Sequence, residues 1–200
     1  MRVYLDDEEL HPAQGTLADG LHVALDAARA QGRIIIEAKA DDDPIADEDL
    51  DHPPDDPTYC DELRFVSAEP RSLVRVTMLD AADALEQTRG VCERASEMLQ
   101  TGQTAEALRE LGDTLGAWES ARRVVQEGCA LLSIDIESDE GLGAGAPEMI
   151  ETLSTNLEEI KRTVATQDWA ALADLLAFDL DEQAAQWRDI MVRIADSVAQ

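Results

Sequence analysis

The sequence predicts an α+β protein in which a small ββαββ domain, residues 1–70, precedes an antiparallel four-helix bundle, residues 71–200. Short segments of alternating apolar and polar side chains occupy the first part, and this period of two is typical of strands. After Ser72, apolar residues recur three and four positions apart, which is the period of a helix. The 30 alanines and the 4% aromatic content favour packed helices over a β-sandwich, so the chain is expected to be mainly helical.

The first element is a predicted β-hairpin. Val3 and Leu5 alternate with more polar neighbours, as they do in a strand with one buried face. Asp6 and Asp7 are suited to a tight turn, and residues 8–10 then return as the second arm.

A helix and a strand follow the hairpin. Thr16 and Asp19 have the spacing of a capping box, which predicts that a helix begins there, and Gly32 is suited to end it. Three consecutive isoleucines, residues 34–36, form a β-branched run. This run predicts a central strand covered on both faces.

A last strand is predicted over residues 63–66, because its apolar side chains are followed by Pro70. The resulting order of elements resembles the β-grasp, or ubiquitin-like, arrangement. No di-glycine tail of the kind found in ubiquitin and the sulfur carriers follows the final strand, so the resemblance implies a fold and carries no activity.

The segment between the third and last predicted strands is strongly acidic. Residues 41–62 contain eleven Asp and Glu residues and neither Lys nor Arg, with four prolines interspersed. Charge of one sign together with proline disfavours a packed structure, so we expect a solvated loop.

Heptad spacing organises the rest of the chain. Two long stripes of mainly apolar side chains at this spacing, separated near Gly102, predict two helices joined by a short turn. The first stripe consists of Val74, Met78, Ala81, Leu85, Thr88, Cys92, Ala95 and Leu99. Residue i of the first helix is then expected opposite roughly residue 204 − i of the second. Two more stripes follow residue 147. The predicted helices cover about residues 72–100, 104–134, 147–166 and 168–198.

Three residues are candidate partner-binding residues: Arg122, Trp118 and Trp187. Arg122 is the one misfit in the second stripe, which predicts that it reaches the rim of the bundle, pairs with an acid on the facing helix, or contacts a partner. The two tryptophans fit their stripes and are expected first as core anchors, with a partner-facing contact as the alternative.

Other motifs favour structural roles. The glycine-rich stretch GLGAGA, residues 141–146, follows a predicted helix instead of a strand, so we interpret it as a linker and not as a phosphate-binding loop. Cys92 and Cys129 lie on the apolar stripes and have no histidine near them in the sequence. The histidines have no metal-ligand spacing. We therefore expect no catalytic, cofactor or metal site.

Charge and composition restrict the partners and the location. With 44 acidic and 16 basic residues the net charge is −28, which argues against binding a phosphate backbone. The chain shows neither a signal-peptide pattern nor a run of 18 apolar residues. Its three cysteines form no CxxC motif, which favours a reducing compartment. The expected location is the cytoplasm, with no nucleic-acid or membrane partner.

These observations favour a non-enzymatic adaptor that presents helical faces to a protein partner. In general character, a small, acidic, helical protein resembles the export chaperones of flagellar and type III secretion systems, a likeness that covers at most residues 71–200. Self-association as a homodimer is closely related to this hypothesis. A metal-dependent enzyme and an acidic mimic of nucleic acid are the alternatives from other classes.

Overall fold

The computed structural model of the chain describes residues 1–135 and 146–199, apart from the side chains of Asp113, Ala146 and Pro147. It contains two compact units, Met1–Leu73 and Val74–Gln200. The protein is a mixed α+β protein with a five-stranded sheet near its N-terminus and several helices. Most of the GLGAGA stretch lies outside the described residues, so its predicted role as a linker stays a prediction.

The N-terminal unit is built on one mixed sheet. Its strands lie in the order β2-β1-β5-β3-β4, with β1 parallel to β5 and the other neighbours antiparallel. The central strand is therefore β5, whose Leu63 and Phe65 are buried. The strands are β1 (Arg2–Leu5), β2 (Glu8–Leu10), β3 (Ile34–Ala40), β4 (Asp43–Pro44) and β5 (Glu62–Ala68).

The predicted hairpin is confirmed. Asp6 and Asp7 connect β1 to β2 with φ angles of +49° and +67°, and two positive φ values are what a type I′ hairpin turn requires. Asp6 also binds β5, because its carboxylate accepts hydrogen bonds from the backbone N–H and the hydroxyl of Ser67, at 2.8 and 2.5 Å. These bonds lower the pKa of Asp6, so the turn is tied to the sheet by a charged group.

Helix α1 (Leu17–Ala30) contacts the sheet and begins where the capping box predicted. The Thr16 side chain accepts a hydrogen bond from the backbone N–H of Asp19, and the Asp19 carboxylate accepts one from Gln14. Gly20 permits the close approach of this helix, since a Cβ there would lie 2.6 Å from Cδ1 of Leu63.

The prediction of a central, doubly covered strand at residues 34–36 was wrong. Ile36 is 49% exposed, and Ile34 and Ile35 are only partly buried. A register shift between Ile35 and Glu37 interrupts the pairing of β3 with β5 at this point. On its other side, β3 pairs among the described residues only with the two-residue strand β4. A run of β-branched residues indicates a strand but does not fix its place in the sheet.

The acidic segment, residues 41–62, is more ordered than the predicted solvated loop. It contains β4 and the short helix α2 (Asp47–Asp51), and it buries Ile45 and Cys60. The Asp41 carboxylate accepts hydrogen bonds from the backbone N–H groups of residues 61 and 62, which closes the segment at its base. The two buried side chains and these hydrogen bonds from the backbone thus offset the repulsion between the acidic side chains of the segment.

The second unit consists of helices around one apolar core. All eight predicted stripe residues of the first long helix, from Val74 to Leu99, are buried. Arg94 on this helix donates a hydrogen bond to Glu110 at 3.4 Å, a pair whose numbers sum to 204, as the antiparallel register predicts. The helices are α3 (Pro70–Gln100), α4 (Thr104–Leu131), α5 (Ala146–Thr166), α6 (Trp169–Asp174) and α7 (Leu180–Val198).

A single π-turn, Leu175–Asp179, joins α6 to α7. The sequence predicted one uninterrupted helix over residues 168–198, so this irregularity was missed. In a π-turn the chain takes more than the 3.6 residues that an α-helical turn contains, and such insertions are frequent at functional sites. The π-turn therefore directs attention to the surface around it.

Candidate functional site

The π-turn presents an exposed aromatic side chain. Phe178 is 69% exposed, the largest exposure among the large apolar residues in the described part of the chain. Phenylalanine is one of the residue types that most strongly stabilise a core when buried. Its neighbours Leu175 and Leu176 are buried, so the extra residue of the π-turn separates Phe178 from the apolar face of the helix.

A cavity of about 650 Å³ lies beside Phe178, within the size range of about 300–1,000 Å³ that is usual for ligand pockets. Helix α3 forms one wall, and the π-turn with the start of α7 forms the other. The lining residues are Glu86, Arg89, Gly90, Glu93, Leu176, Ala177, Phe178 and Asp181. We call this cavity, together with the exposed face of Phe178, the π-turn site.

Arg89 connects the two walls of the π-turn site. Its Nε and Nη2 donate hydrogen bonds to the two carboxylate oxygens of Asp181, at 2.7 and 3.0 Å. Its Nη1 donates to both carboxylate oxygens of Glu86 at 3.2 Å. The bonds to Asp181, followed by those to Glu86, raise the pKa of Arg89 above its ordinary value. This two-oxygen geometry is the strong form of an Arg–carboxylate pair and fixes α7 against α3.

The π-turn site has an excess of negative charge. Three carboxylates line it. Asp181 pairs with Arg89, and Glu86 pairs with Arg89 and, at 3.7 Å, with Arg188. Glu93 has no ion-pair partner among residues 1–135 and 146–199. Phe178 adds an aromatic face, which attracts cations as carboxylates do. The combination suits an alkylammonium or guanidinium group carried on an apolar stem.

The two candidate tryptophans lie in the core. Trp118 is 1% exposed and Trp187 is 2% exposed, and their ring centroids are 6.0 Å apart in an edge-to-face arrangement. Neither indole N–H has a hydrogen-bond acceptor in the part of the protein that the structure describes. Their packing agrees with the role of core anchors, and their burial gives no support to direct contact with a partner.

Arg122, the third candidate, is exposed and has no ion-pair partner among the described side chains. Among the described side chains, Arg122 thus shows no ion pair with an acid on a facing helix, and its other two predicted roles stay predictions. Arg122 lines a second, smaller opening, between α4 and α5, which Trp118 also lines.

Sequence reasoning missed Phe178, although the sequence carries a signal for it. Leu172, Leu176 and Leu180 are spaced four and four apart, where a heptad stripe alternates three and four. Residues 175–178 are also four successive apolar residues, which one face of a regular α-helix cannot all bury. A wider turn and one exposed apolar side chain satisfy both patterns.

The cysteines are buried. Burial raises the pKa of Cys92 to about 11 and also raises that of Cys129, so both are protonated thiols at neutral pH. No three metal-binding side chains are grouped to hold an ion within the described ranges. Over the same ranges, no helix has the length and apolarity needed to cross a bilayer.

The fold and this site together define a class of protein. It is an α+β protein whose helical unit carries an acid-lined surface site with an exposed aromatic side chain. The chain belongs to the family described as Domain of unknown function (DUF8042), whose model matches residues 76–190. The match includes the whole π-turn site and the three candidate residues Trp118, Arg122 and Trp187. No curated protein and no solved structure matches the chain.

Proposed function

We propose that this protein is a non-enzymatic, protein-binding adaptor that docks its partner at the π-turn site. The observation that carries the proposal is the exposure of Phe178 beside a cavity of about 650 Å³. Aromatic residues are enriched in protein interfaces, where a few anchors supply most of the binding energy. A cavity next to such an anchor gives the partner a pocket in which to place its own anchor.

The partner segment that fits this site is basic. The carboxylate of Glu93, unpaired among the described residues, attracts a Lys or Arg side chain, whose apolar stem packs against Phe178 and Ala177. The net charge of −28 adds long-range attraction, which speeds the encounter with a basic partner and weakens as salt is added.

The proposal also includes a more detailed assignment of the fold of each unit. The strand order β2-β1-β5-β3-β4 supports a β-grasp-like domain, and the contacts between α3 and α4 support an antiparallel bundle. A cytoplasmic location is part of the same proposal and rests on the cysteine usage. An export-chaperone-like role is one form of such an adaptor, in which the basic segment belongs to an exported substrate.

Capture of the partner from native lysate tests the proposal. The tagged protein, Phe178→Ala and Glu93→Lys are compared at low and at high salt, with bound proteins identified by mass spectrometry. Removing an aromatic anchor costs about 2 kcal/mol or more of binding energy, so Phe178→Ala should lose the partner. Glu93→Lys should retain less partner, most clearly at low salt.

Two matched variants serve as controls. Val76→Ala shortens another exposed apolar residue, 52% exposed, which does not line the site. Glu127→Lys makes the same charge change as Glu93→Lys at an exposed position elsewhere on the helical unit. Both controls should capture the partner as the unaltered protein does. Equal capture by Phe178→Ala and Val76→Ala would contradict the proposal.

A further inference from the structure

The opening between α4 and α5 differs chemically from the π-turn site. It has a volume of about 290 Å³, and most of its wall is apolar. Four residues come from one face of α4 and four from one face of α5. The lining residues are Leu115, Trp118, Glu119, Arg122, Leu153, Leu157, Ile160 and Lys161. We call it the α4–α5 groove.

Two cations lie on the α4–α5 groove, one from each helix. Arg122 and Lys161 are exposed, and neither has an ion-pair partner among the side chains that the structure describes. The one carboxylate of the groove, Glu119, instead approaches Arg123, at 3.7 Å. The whole chain has 44 acidic and 16 basic residues, so its net charge is strongly negative. The groove differs from the rest of the chain because it carries two cations that are unpaired among the described side chains.

Apolar side chains make up most of the lining of the groove. Trp118 is among them, but its indole N–H is itself buried and is not open to a ligand. The two cations and the apolar walls together suit a ligand that carries negative charge on a hydrocarbon body.

We propose that the α4–α5 groove is a binding site for a small carboxylate with an apolar chain, of the medium-chain fatty-acid type. A volume of about 290 Å³ has room for roughly ten water-sized atoms. This is the number of heavy atoms in an eight-carbon carboxylate. The chain lies against Leu153, Leu157 and Ile160, and the carboxylate is attracted by Arg122 and Lys161. The site goes beyond the proposed docking function and does not depend on it.

Titration with octanoate, followed by calorimetry and tryptophan fluorescence, tests this assignment. The full chain should bind one octanoate with a Kd of about 1 mM or tighter. Acetate carries the charge without the chain, and octanamide carries the chain without the charge, so both should bind at least roughly tenfold more weakly. Equal binding of octanoate and octanamide would overturn the proposal, because the cations would then play no part.

Variants separate the groove from the rest of the surface. Arg122→Ala combined with Lys161→Ala should weaken octanoate binding by roughly tenfold or more. The matched control, Arg75→Ala with Arg193→Ala, makes the same charge change at exposed arginines that do not line the groove, and it should bind as the unaltered protein does. Melting curves confirm that each variant is folded.

Three outcomes would overturn the assignment. The first is no saturable binding of octanoate at millimolar concentration. The second is equal weakening by the groove variant and its control, which would indicate a general charge effect. The third is a groove variant that binds octanoate as the unaltered protein does but has a different oligomeric state by light scattering. That result would make the groove an interface between copies of the chain. None of these outcomes bears on capture of a partner through Phe178, so the two proposals fail separately.

Discussion

The helical unit has two contrasting regions: its buried apolar core, which includes Cys92, Trp118 and Trp187 and which we call the seam, and the π-turn site. On the seam, Trp118 and Trp187 pack edge to face and are nearly inaccessible, although a partner-facing role was a natural alternative for both. At the π-turn site, Phe178 is exposed beside an acidic cavity. One widened turn makes this difference, because it takes an apolar residue out of the stripe that would otherwise bury it.

The largest expected effect is on the seam. Trp187→Ala should lower the free energy of unfolding by about 3–5 kcal/mol, because it removes a large buried side chain and its ring contact with Trp118. Urea unfolding followed by circular dichroism measures the loss.

Trp187→Phe is the control for that loss. It keeps the aromatic packing and removes an indole N–H that has no acceptor among the described residues, so its cost should be much smaller. A loss from Trp187→Phe as large as that from Trp187→Ala would contradict this expectation and would show that the indole N–H is hydrogen-bonded.

A smaller, pH-dependent effect is expected at Cys92, also on the seam. Burial raises its pKa from 9.0 to about 11, so the folded protein retains a proton that the unfolded chain loses above pH 9. The contribution of this thiol is fully present below pH 9 and decreases as the pH rises towards 11. The unfolding free energy should fall over this window by on the order of 2 kcal/mol more in the unaltered protein than in Cys92→Ala.

Denaturation curves recorded at several pH values from 8 to 11 test this difference. Identical pH dependence in the two proteins would place the Cys92 thiol in contact with water. Cys92 lies on a stripe of α3 whose other members are buried as well, so such a result would weaken the description of the whole seam.

The smallest effect on stability is expected at the π-turn site. Arg89→Ala removes the hydrogen bonds to Asp181 and Glu86, but the side chains are partly exposed and solvent screens the charges. The loss should be about 1 kcal/mol in urea unfolding and should shrink as salt is added. Arg188→Ala is the matched control, since its contact with Glu86 is longer, at 3.7 Å, and its loss should be smaller. A loss from Arg89→Ala that does not change with salt would contradict an electrostatic connection.

The sequence predicted those parts of the fold that depend on local spacing. The stripe of α3 and the hairpin turn at Asp6 and Asp7 are both set by residues close together in the chain, and both were found. In contrast, the position of β3 in the sheet and the conformation of the acidic segment depend on contacts with residues far away in the sequence. The irregularity beside Ile36 and the burial of Ile45 arise from pairing and packing that single-strand patterns do not encode.

The candidate residues also differ in whether local spacing in the sequence reveals them. Arg122 was identified because it breaks a local stripe, and it does line the α4–α5 groove. Lys161 was not identified, because nothing in the sequence states which face of α5 lies beside α4. Phe178 was missed because the four-and-four spacing of its helix was treated as a regular heptad stripe.

Site-specific photo-crosslinking in native cells is the most direct test of the central claim, that the π-turn site docks a protein partner. A photoreactive phenylalanine analogue is placed at position 178 in one experiment and at position 76 in another, two exposed apolar positions on the helical unit. We expect one crosslinked protein with a basic contact segment from position 178, and none from position 76. The same crosslinked products from both positions, or none from position 178, would contradict the account.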